Sequence, residues 1–170
     1  MVLGLVAELP RHGYQMDQEI QRRGMREWTP IGFSSVYFLL TKLERKALVR
    51  AKTPSRATGK RVYSITAAGR RTLVAQTLAA LSSYRAPQSS LLLGMLHWSA
   101  LDKEQALQAL QARRAAVRAE KTRLDGIQIE RQPLPDFVEA LFNYSLGQLH
   151  AEEEWIARTV DYMNTKPWLK

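Results

Sequence analysis

Residues 33–69 read FSSVYFLLTKLERKALVRAKTPSRATGKRVYSITAAG, and this stretch holds the strongest structural signals in the chain. Its first part carries apolar side chains at the spacing i, i+3, i+4 and i+7, which is one face of an α-helix. These side chains are Val36, Leu39, Leu40 and Leu43. Ser34 or Ser35 can cap such a helix, because a serine oxygen accepts a hydrogen bond from an N–H group of the first turn. The pattern predicts a helix over about residues 33–44.

The second part of the stretch predicts a β-hairpin and then another helix. Residues 49–53 are expected to form one strand, and residues 61–65, which alternate, form the returning strand. Thr66 is a candidate cap for a helix that reaches about Tyr84. The expected packing side of that helix consists of Leu73, Thr77, Leu78 and Leu81. Helix, strand, basic tip, strand and helix is the order of a winged helix-turn-helix, a mainly α fold with a small β-hairpin.

Two shorter helices are expected before this stretch. Residues 1–9 (MVLGLVAEL) are apolar, and Pro10 ends the segment because proline disfavours helical geometry in the residue before it. Residues 13–23 carry apolar positions at helical spacing, and Gly24 is a stop signal. Residues 25–32 (MREWTPIG) are expected to form a loop.

The sequence RAPQSS at residues 85–90 predicts a boundary between two domains, 1–86 and 87–170. The second domain is expected to be helical, and its last helix, over about 135–163, carries an apolar stripe. Roughly 80 residues are too few to cover such a stripe within one chain. Its main members, predicted to form a homodimer interface, are Phe142, Leu146, Leu149 and Ile156.

Charge is distributed unevenly along the chain. The formal net charge is +9, but residues 1–85 carry 15 basic against 5 acidic side chains, whereas residues 86–170 carry 10 against 11. A polyanionic partner for the first half is the simplest reading, because neutralised phosphates release their counterions. The same charge also fits a basic surface that is merely solvated.

Composition argues against several other classes of protein. With no cysteine, the chain forms neither a disulfide nor a thiolate metal site, and its three histidines lie far apart, so no metal or cofactor is expected. No nucleophile and base stand in a recognisable catalytic arrangement, so an enzyme is not expected. No apolar run is long enough to span a membrane, and the start lacks the basic region of a signal peptide. A cytoplasmic protein is expected.

The predicted helix at 33–44 presents a polar and basic face opposite its apolar side. This face and the hairpin supply the candidate DNA contacts, which are Ser34, Ser35, Thr41, Lys42, Arg45, Lys60 and Arg61. Ser34 also fits a role as a cap alone, and the other helix residues also fit an ordinary solvated face. Lys60 and Arg61 are expected to contact phosphates, which position a protein on a duplex without reading its sequence.

Three motifs resemble those of the PadR family of bacterial transcriptional regulators. Residues 3–14 (LGLVAELPRHGY) resemble the family's start, residues 35–44 (SVYFLLTKLE) its recognition helix, and residues 59–69 (GKRVYSITAAG) its wing and the exit from the wing. The region from Leu91 to Trp155 is similar to the longer helical dimerisation domain of one subgroup. Ala47 departs from the pattern, because the family usually has a glycine there, which adopts a left-handed conformation more easily.

The resemblance implies a homodimeric repressor that binds inverted repeats, with each recognition helix in a major groove and each wing at a flanking minor groove. It also implies that Tyr37 meets the phosphate backbone, although its place in the helix equally fits half-burial. A small apolar or aromatic effector is implied as well, and Trp98 is the candidate residue for its pocket, with packing as the alternative role. A winged-helix protein that acts mainly through protein contacts, with weak non-specific DNA binding, remains the alternative function.

Overall fold

The computed structural model describes residues 1–27, 29, 31–52, 60–84 and 89–167. Its contacts divide the chain into two compact units, Met1–Ala86 and Pro87–Lys170. Helices dominate both units, and a three-stranded antiparallel sheet lies in the first, so the predicted fold class is confirmed. The predicted hairpin tip with Arg56, residue Trp28, and most of the predicted boundary segment lie outside the described residues.

The described residues of the N-terminal unit form four helices and three strands. The helices are α1 (Val2–Glu8), α2 (Gly13–Arg22), α3 (Phe33–Arg45) and α4 (Ala67–Ser82), with a 3-10 turn at Met25–Glu27. The strands are β1 (Arg11–His12), β2 (Val49–Lys52) and β3 (Val62–Ile65). Helices α1, α2 and α3 contribute apolar residues at helical period to one core, to which α4 adds Leu73; the core includes Leu5, Met16, Ile20, Val36, Leu40 and Val49. Burial of these side chains is the main favourable term for the unit.

The sheet has the order β1-β3-β2. In the hairpin, Val49 pairs with Ile65 and Lys52 with Val62, as the sequence predicts for two antiparallel strands. Strand β1 adds Arg11 opposite Tyr63. Sequence analysis missed this strand because two residues are too short to show an alternation.

Helix α3 ends in a tight turn at Ala47. The N–H of Leu48 donates to the oxygen of Leu43 at 3.0 Å, and the N–H of Ala47 donates to the oxygen of Glu44 at 2.8 Å. This hydrogen-bond pattern is the Schellman motif, which places one residue in the left-handed region. That residue is Ala47, with φ of 56°. An alanine there costs about 1 kcal/mol more than a glycine, yet the helix keeps this exit with Ala47 in the left-handed region.

The C-terminal unit is a long helical hairpin preceded by a short helix. Its helices are α5 (Ser90–Leu96), α6 (Lys103–Glu130) and α7 (Asp136–Thr165), with a 3-10 turn at Trp98–Ala100. Helix α6 contains Gly126 in its interior and continues to Glu130. Ala106, Leu110 and Val117 of α6 pack in one cluster with Ile156 and Met163 of α7.

The structure corrects three predictions. Gly32, not a serine, occupies the N-cap of α3, and no side chain caps that helix, so Ser34 is not a cap. On α4 only Leu73 packs on the core, whereas Leu78 and Leu81 are 62% and 82% exposed. Phe142 and Ile156 are buried within their own chain at 2% and 0% exposure, so they are not available as the exposed stripe that was predicted to form the dimer interface.

Candidate nucleic-acid interface

Helix α3 buries one side and presents the other to solvent. Val36 and Leu40 are fully buried in the core. The opposite side is exposed and carries Ser34, Thr41, Lys42 and Arg45, while Ser35 is half-buried at its edge. Because 3.6 residues complete a turn, these positions share one face of the helix. The predicted contact residues of α3 are therefore displayed together, apart from Ser35.

Tyr37 lies on the flank of α3 against the start of α2. A methyl group added to Gly13 would lie 2.5 Å from a ring carbon of Tyr37, so the ring rests directly on the glycine backbone. The ring centroid is 5.2 Å from that of Phe33. Tyr37 is nevertheless 42% exposed. One side of its ring is packed and the other faces solvent, so Tyr37 is partly packed, and its contact with phosphate stays a prediction.

Two cations at the start of β3 are held beside helices of the same unit. The guanidinium of Arg61 donates to a carboxylate oxygen of Glu44 on α3 at 2.5 Å. The ammonium of Lys60 lies 5.9 Å from the ring centroid of Tyr14 on α2. The wing strand is thus tied to α3 through Arg61, while the Lys60 charge remains available to a ligand.

Ion pairs divide the charges of the N-terminal unit into two regions. Glu8 pairs with Arg23, Asp17 with Arg26, and Glu19 with Arg22 and Arg23. Hydrogen bonds from Arg22 and then Arg23 lower the pKa of the Glu19 carboxyl to about 2. These pairs neutralise one another on α1, α2 and the turn after α2.

The remaining cations of the unit are not neutralised. Glu44 pairs with Arg61, and the other cations after residue 31 make no ion pair with any carboxylate that the structure describes. These cations are Lys42, Arg45, Lys46, Arg50, Lys52, Lys60, Arg70 and Arg71. Positive charge is therefore concentrated on α3, the hairpin and the start of α4, and a polyanion can lower its self-repulsion.

Three residues of this surface were missed by sequence reasoning. Lys46 and Arg50 are exposed cations, and the alternation of β2 could have found Arg50, because it shares a face with Lys52. Phe38 is 68% exposed in the middle of the outward face of α3. The helical period places Phe38 on this face, but sequence reasoning passed over it because phenylalanine is usually buried.

Trp98 lies in the C-terminal unit between two cavities. The first has a volume of about 250 Å³ and is lined by residues of α5, the following turn and α6, among them Leu91, Met95, Leu110 and Arg113. The second has a volume of about 390 Å³ and is lined by Trp155, Tyr162 and Met163 of α7. Trp98 is half-buried and packs on the core of the unit. It therefore serves packing and also forms a wall of a space that a small molecule could enter.

The run of Glu152, Glu153 and Glu154 is not a purely solvated face. Arg113 of α6 donates to Glu152 at 2.5 Å, and Arg118 donates to Glu153 at 2.5 Å. The ion pair with Arg118 lowers the pKa of Glu153. In the part of the chain that the structure describes, no cluster of three or more His, Asp or Glu side chains could hold a metal ion. None of the described helices is both long and apolar enough to traverse a bilayer.

Comparison with known proteins identifies the N-terminal unit. Residues 2–75 match the Transcriptional regulator PadR-like family. This match lies within the N-terminal unit, which is therefore similar to that family. The fold of this unit is a winged helix-turn-helix, as the sequence predicted. The expectation that the chain is not an enzyme is confirmed by the family, whose members regulate transcription.

Solved structures share the fold over nearly the whole chain. Bacillus subtilis PadR in complex with operator DNA is 19% identical with a TM-score of 0.73, and the match covers 95% of this chain and 96% of that one. The same protein in complex with p-coumaric acid is 18% identical with a TM-score of 0.75, covering 96% of each chain. The Vibrio cholerae virulence activator AphA is 19% identical with a TM-score of 0.66, covering 95% and 92%. No curated protein sequence matches the chain significantly.

Proposed function

We propose that this PadR-like regulator is a homodimeric repressor that recognises an inverted-repeat operator and releases it when a small apolar ligand binds. The observation that carries DNA recognition is the group of cations without carboxylate partners on α3 and the hairpin. In these described segments Glu44 is the one acidic side chain and pairs with Arg61, whereas Glu8, Asp17 and Glu19 pair with arginines on α2 and the turn after it. A repressor of this kind acts in the cytoplasm, where its operator is.

Each predicted contact residue has a role in this proposal. Helix α3 enters the major groove, where Ser34, Thr41 and Lys42 reach base edges and Arg45 contacts bases or phosphate. Ser35 is half-buried at the edge of the face, so it contacts the DNA only where the duplex approaches the helix closely. Tyr37 presents its exposed ring edge and hydroxyl to the phosphate backbone. Lys60 and Arg61 place the wing on the backbone of the flanking minor groove.

Selection of duplex DNA from a random pool tests the proposed function. The full-length protein should enrich an inverted repeat, and the enriched duplex should bind at least about a thousandfold more tightly than random DNA at 150 mM salt. Weak binding that is equal on all sequences would favour the alternative, a winged-helix protein that acts mainly through protein contacts. Single-stranded RNA of the same sequence serves as a second competitor.

The wing residues should determine the salt dependence of binding. Lys60→Ala should reduce the slope of log affinity against log salt by about one, because one phosphate contact is lost. Arg61→Ala should have a smaller effect, because Glu44 already neutralises much of its charge in the free protein. Binding is measured on operator and random duplexes between about 50 and 300 mM salt.

Arg158→Ala is the matched control, because it removes one exposed cation from the C-terminal unit, where it pairs with Glu154. Its slope should equal that of the unaltered protein. An unchanged slope for Lys60→Ala would show that the wing does not touch phosphate. A loss confined to the operator would show that Lys60 reads bases instead.

The homodimer is supported by large apolar side chains that the chain leaves exposed. Solvent-exposed groups of this size are uncommon on a monomer unless they mark an interface. On α4 and α5 they include Val74, Leu78, Leu81, Leu92, Leu93 and Leu96, and on α7 they include Phe137, Leu141 and Tyr144. Leu146 and Leu149 are half-buried and stay at the edge of the proposed interface. Phe142 and Ile156 are left out of it, and the exposed residues named above form its main part.

The effector is proposed to bind beside Trp98. The cavity between α5 and α6 is apolar apart from Arg113, and its volume of about 250 Å³ suits a small flat molecule. The complex of Bacillus subtilis PadR with p-coumaric acid supports an effector of this chemistry. A ligand that binds the released form more tightly lowers operator affinity by the same coupling free energy with which the operator lowers ligand affinity.

Stacking of a flat ligand should quench the fluorescence of Trp98 and lower operator affinity by about 5- to 150-fold. The probes are p-coumaric acid and a small series of flat apolar acids and phenols. Trp98→Ala should bind operator but lose the response, and Trp155→Phe, which alters only the second cavity, should keep it. If operator affinity of Trp98→Ala still falls when the ligand is added, Trp98 has only a packing role.

A further inference from the structure

Phe38 is the large side chain at the centre of the outward face of α3. It is 68% exposed, more than any other large apolar residue of that helix. At about 100° per residue, Arg45 and Ser34 lie within about 40° of it around the helix axis, and Lys42 also lies within about 40° on its other side. The buried residues Val36 and Leu40 lie on the opposite side.

The surroundings of Phe38 favour a duplex over an apolar protein partner. Its neighbours on the exposed face are polar or cationic, and Lys42 and Arg45 have no carboxylate partner in the described part of the chain. Glu44, the one acidic residue of α3, is turned to the flank and engaged with Arg61. An apolar protein surface docked on Phe38 would bury two cations, which is costly. A nucleic acid neutralises the same cations.

The major groove offers a side chain like Phe38 one apolar group, the 5-methyl group of thymine. We propose that Phe38 contacts thymine methyl groups and thereby selects thymine at one or two positions of each operator half-site. This inference rests on the proposed function, because it requires that α3 lie in the major groove.

Thr41 extends the same apolar contact. Its hydroxyl donates to the backbone oxygen of Tyr37 at 3.1 Å, so the hydroxyl is committed within the helix. The methyl group of Thr41 is then the part of this exposed side chain that remains for the groove. Phe38 and Thr41 together form an apolar strip, with Lys42 beside it and Arg45 one turn further along the helix. This arrangement reads a methyl group beside hydrogen-bonding base edges.

Substitution of thymine by uracil tests the proposal, because uracil lacks only the 5-methyl group. The operator is first selected with the unaltered full-length protein, and each thymine is then replaced singly. At the thymines that Phe38 contacts, affinity should fall about fourfold, which corresponds to one methyl group returned to water. Phe38→Ala should bind the thymine operator several-fold more weakly and show no discrimination between thymine and uracil. Phe38→Leu should retain part of it.

Phe33→Ala is the matched control, because Phe33 is 50% exposed on the same helix but lies about 140° around its axis from Phe38. It should keep the full discrimination. An unaltered protein that ignores uracil at every position would overturn the inference while leaving the proposed function intact, and so would equal discrimination by Phe38→Ala. Failure of the initial selection to enrich any sequence would overturn both. Circular dichroism confirms that each variant is folded.

Discussion

Gly69→Ala should destabilise the N-terminal unit by at least about 3 kcal/mol, a large share of the stability of a typical domain. A methyl group on this glycine would lie 2.0 Å from the backbone oxygen of Leu48 and 2.8 Å from a side-chain carbon of Ile65. The first neighbour is backbone and cannot rotate away. The substitution therefore forces α4 away from the start of β2.

The contact cannot open without cost, because three hydrogen bonds join the two segments and the start of α4 at the same junction. The hydroxyl of Thr66 donates to the oxygen of Ala47 at 2.8 Å, and its oxygen accepts from the N–H of Gly69 at 3.0 Å. The N–H of Thr66 donates to the oxygen of Leu48 at 3.1 Å. A shift of α4 breaks these hydrogen bonds at the same time and leaves partly buried polar atoms unpaired.

Urea unfolding of Gly69→Ala, followed by circular dichroism, measures the effect. Gly4→Ala is the matched control in the same unit, because a methyl group at Gly4 would meet nothing within 4 Å. Gly4 lies inside α1, so alanine there should stabilise the unit by up to about 1 kcal/mol. Equal midpoints for the two variants would show that the close approach at Gly69 is relieved without cost.

Local sequence signals were sufficient for the elements of the N-terminal unit. Helix α3, the hairpin and the Thr66 cap were predicted because apolar period, turn residues and capping residues all act over a few positions. The left-handed turn at Ala47 was not predicted, because alanine disfavours that conformation and suggested a different helix exit. Strand β1 was not predicted, because its pairing with β3 joins residues about fifty positions apart and produces no pattern in the local sequence.

The partners of the apolar faces could not be predicted in the same way. A period identifies which side chains share a face, but not which surface covers it. Helix α7 carries apolar residues on two sides, and the side with Phe142 and Ile156 is buried in its own chain, whereas Phe137 and Tyr144 stay exposed. On α4 the predicted packing residues Leu78 and Leu81 are exposed. Only tertiary contacts distinguish these cases.

The candidate site was predicted as a face but not in its details. Exposure of Thr41, Lys42 and Arg45 follows from the helical period, and the structure shows it. Two contacts depend on how distant segments meet and could not be predicted. They are the ion pair of Arg61 with Glu44 and the packing of the Tyr37 ring against Gly13. Phe38 was overlooked because burial is the usual fate of its residue type. Residues that break such a rule are expected at functional sites.

Leu78→Asp combined with Leu81→Asp should convert the protein to monomers and lower operator affinity by at least about a hundredfold. Both leucines are exposed on one side of α4, at a spacing that places them beside Val74. In a dimer their burial would remove a large apolar surface from water, and two carboxylates there would each lack a partner. A monomer reaches only one half-site, so it loses the second set of contacts with the inverted repeat.

Sedimentation at micromolar concentration and gel shifts with the selected operator measure the two effects. Ala80→Asp with Ser83→Asp is the matched control, because it adds the same charge to the opposite side of the same region, where both residues are exposed. This control should remain dimeric and bind operator normally. An unaltered protein that sediments as a folded monomer would contradict the proposed homodimer.

A second pair of changes separates dissociation from unfolding. Phe142→Asp with Leu149→Asp should disrupt the α6–α7 hairpin itself, because Phe142 is buried and Leu149 packs on the core of that unit. An uncompensated buried carboxylate commonly costs several kcal/mol, so loss of helical signal should accompany any loss of dimer. The α4 variant should instead keep its helical signal while it dissociates. If the α4 variant stays dimeric and the α7 variant gives folded monomers, the interface lies on the α7 stripe that includes Phe142. The proposed interface of exposed residues would then be wrong.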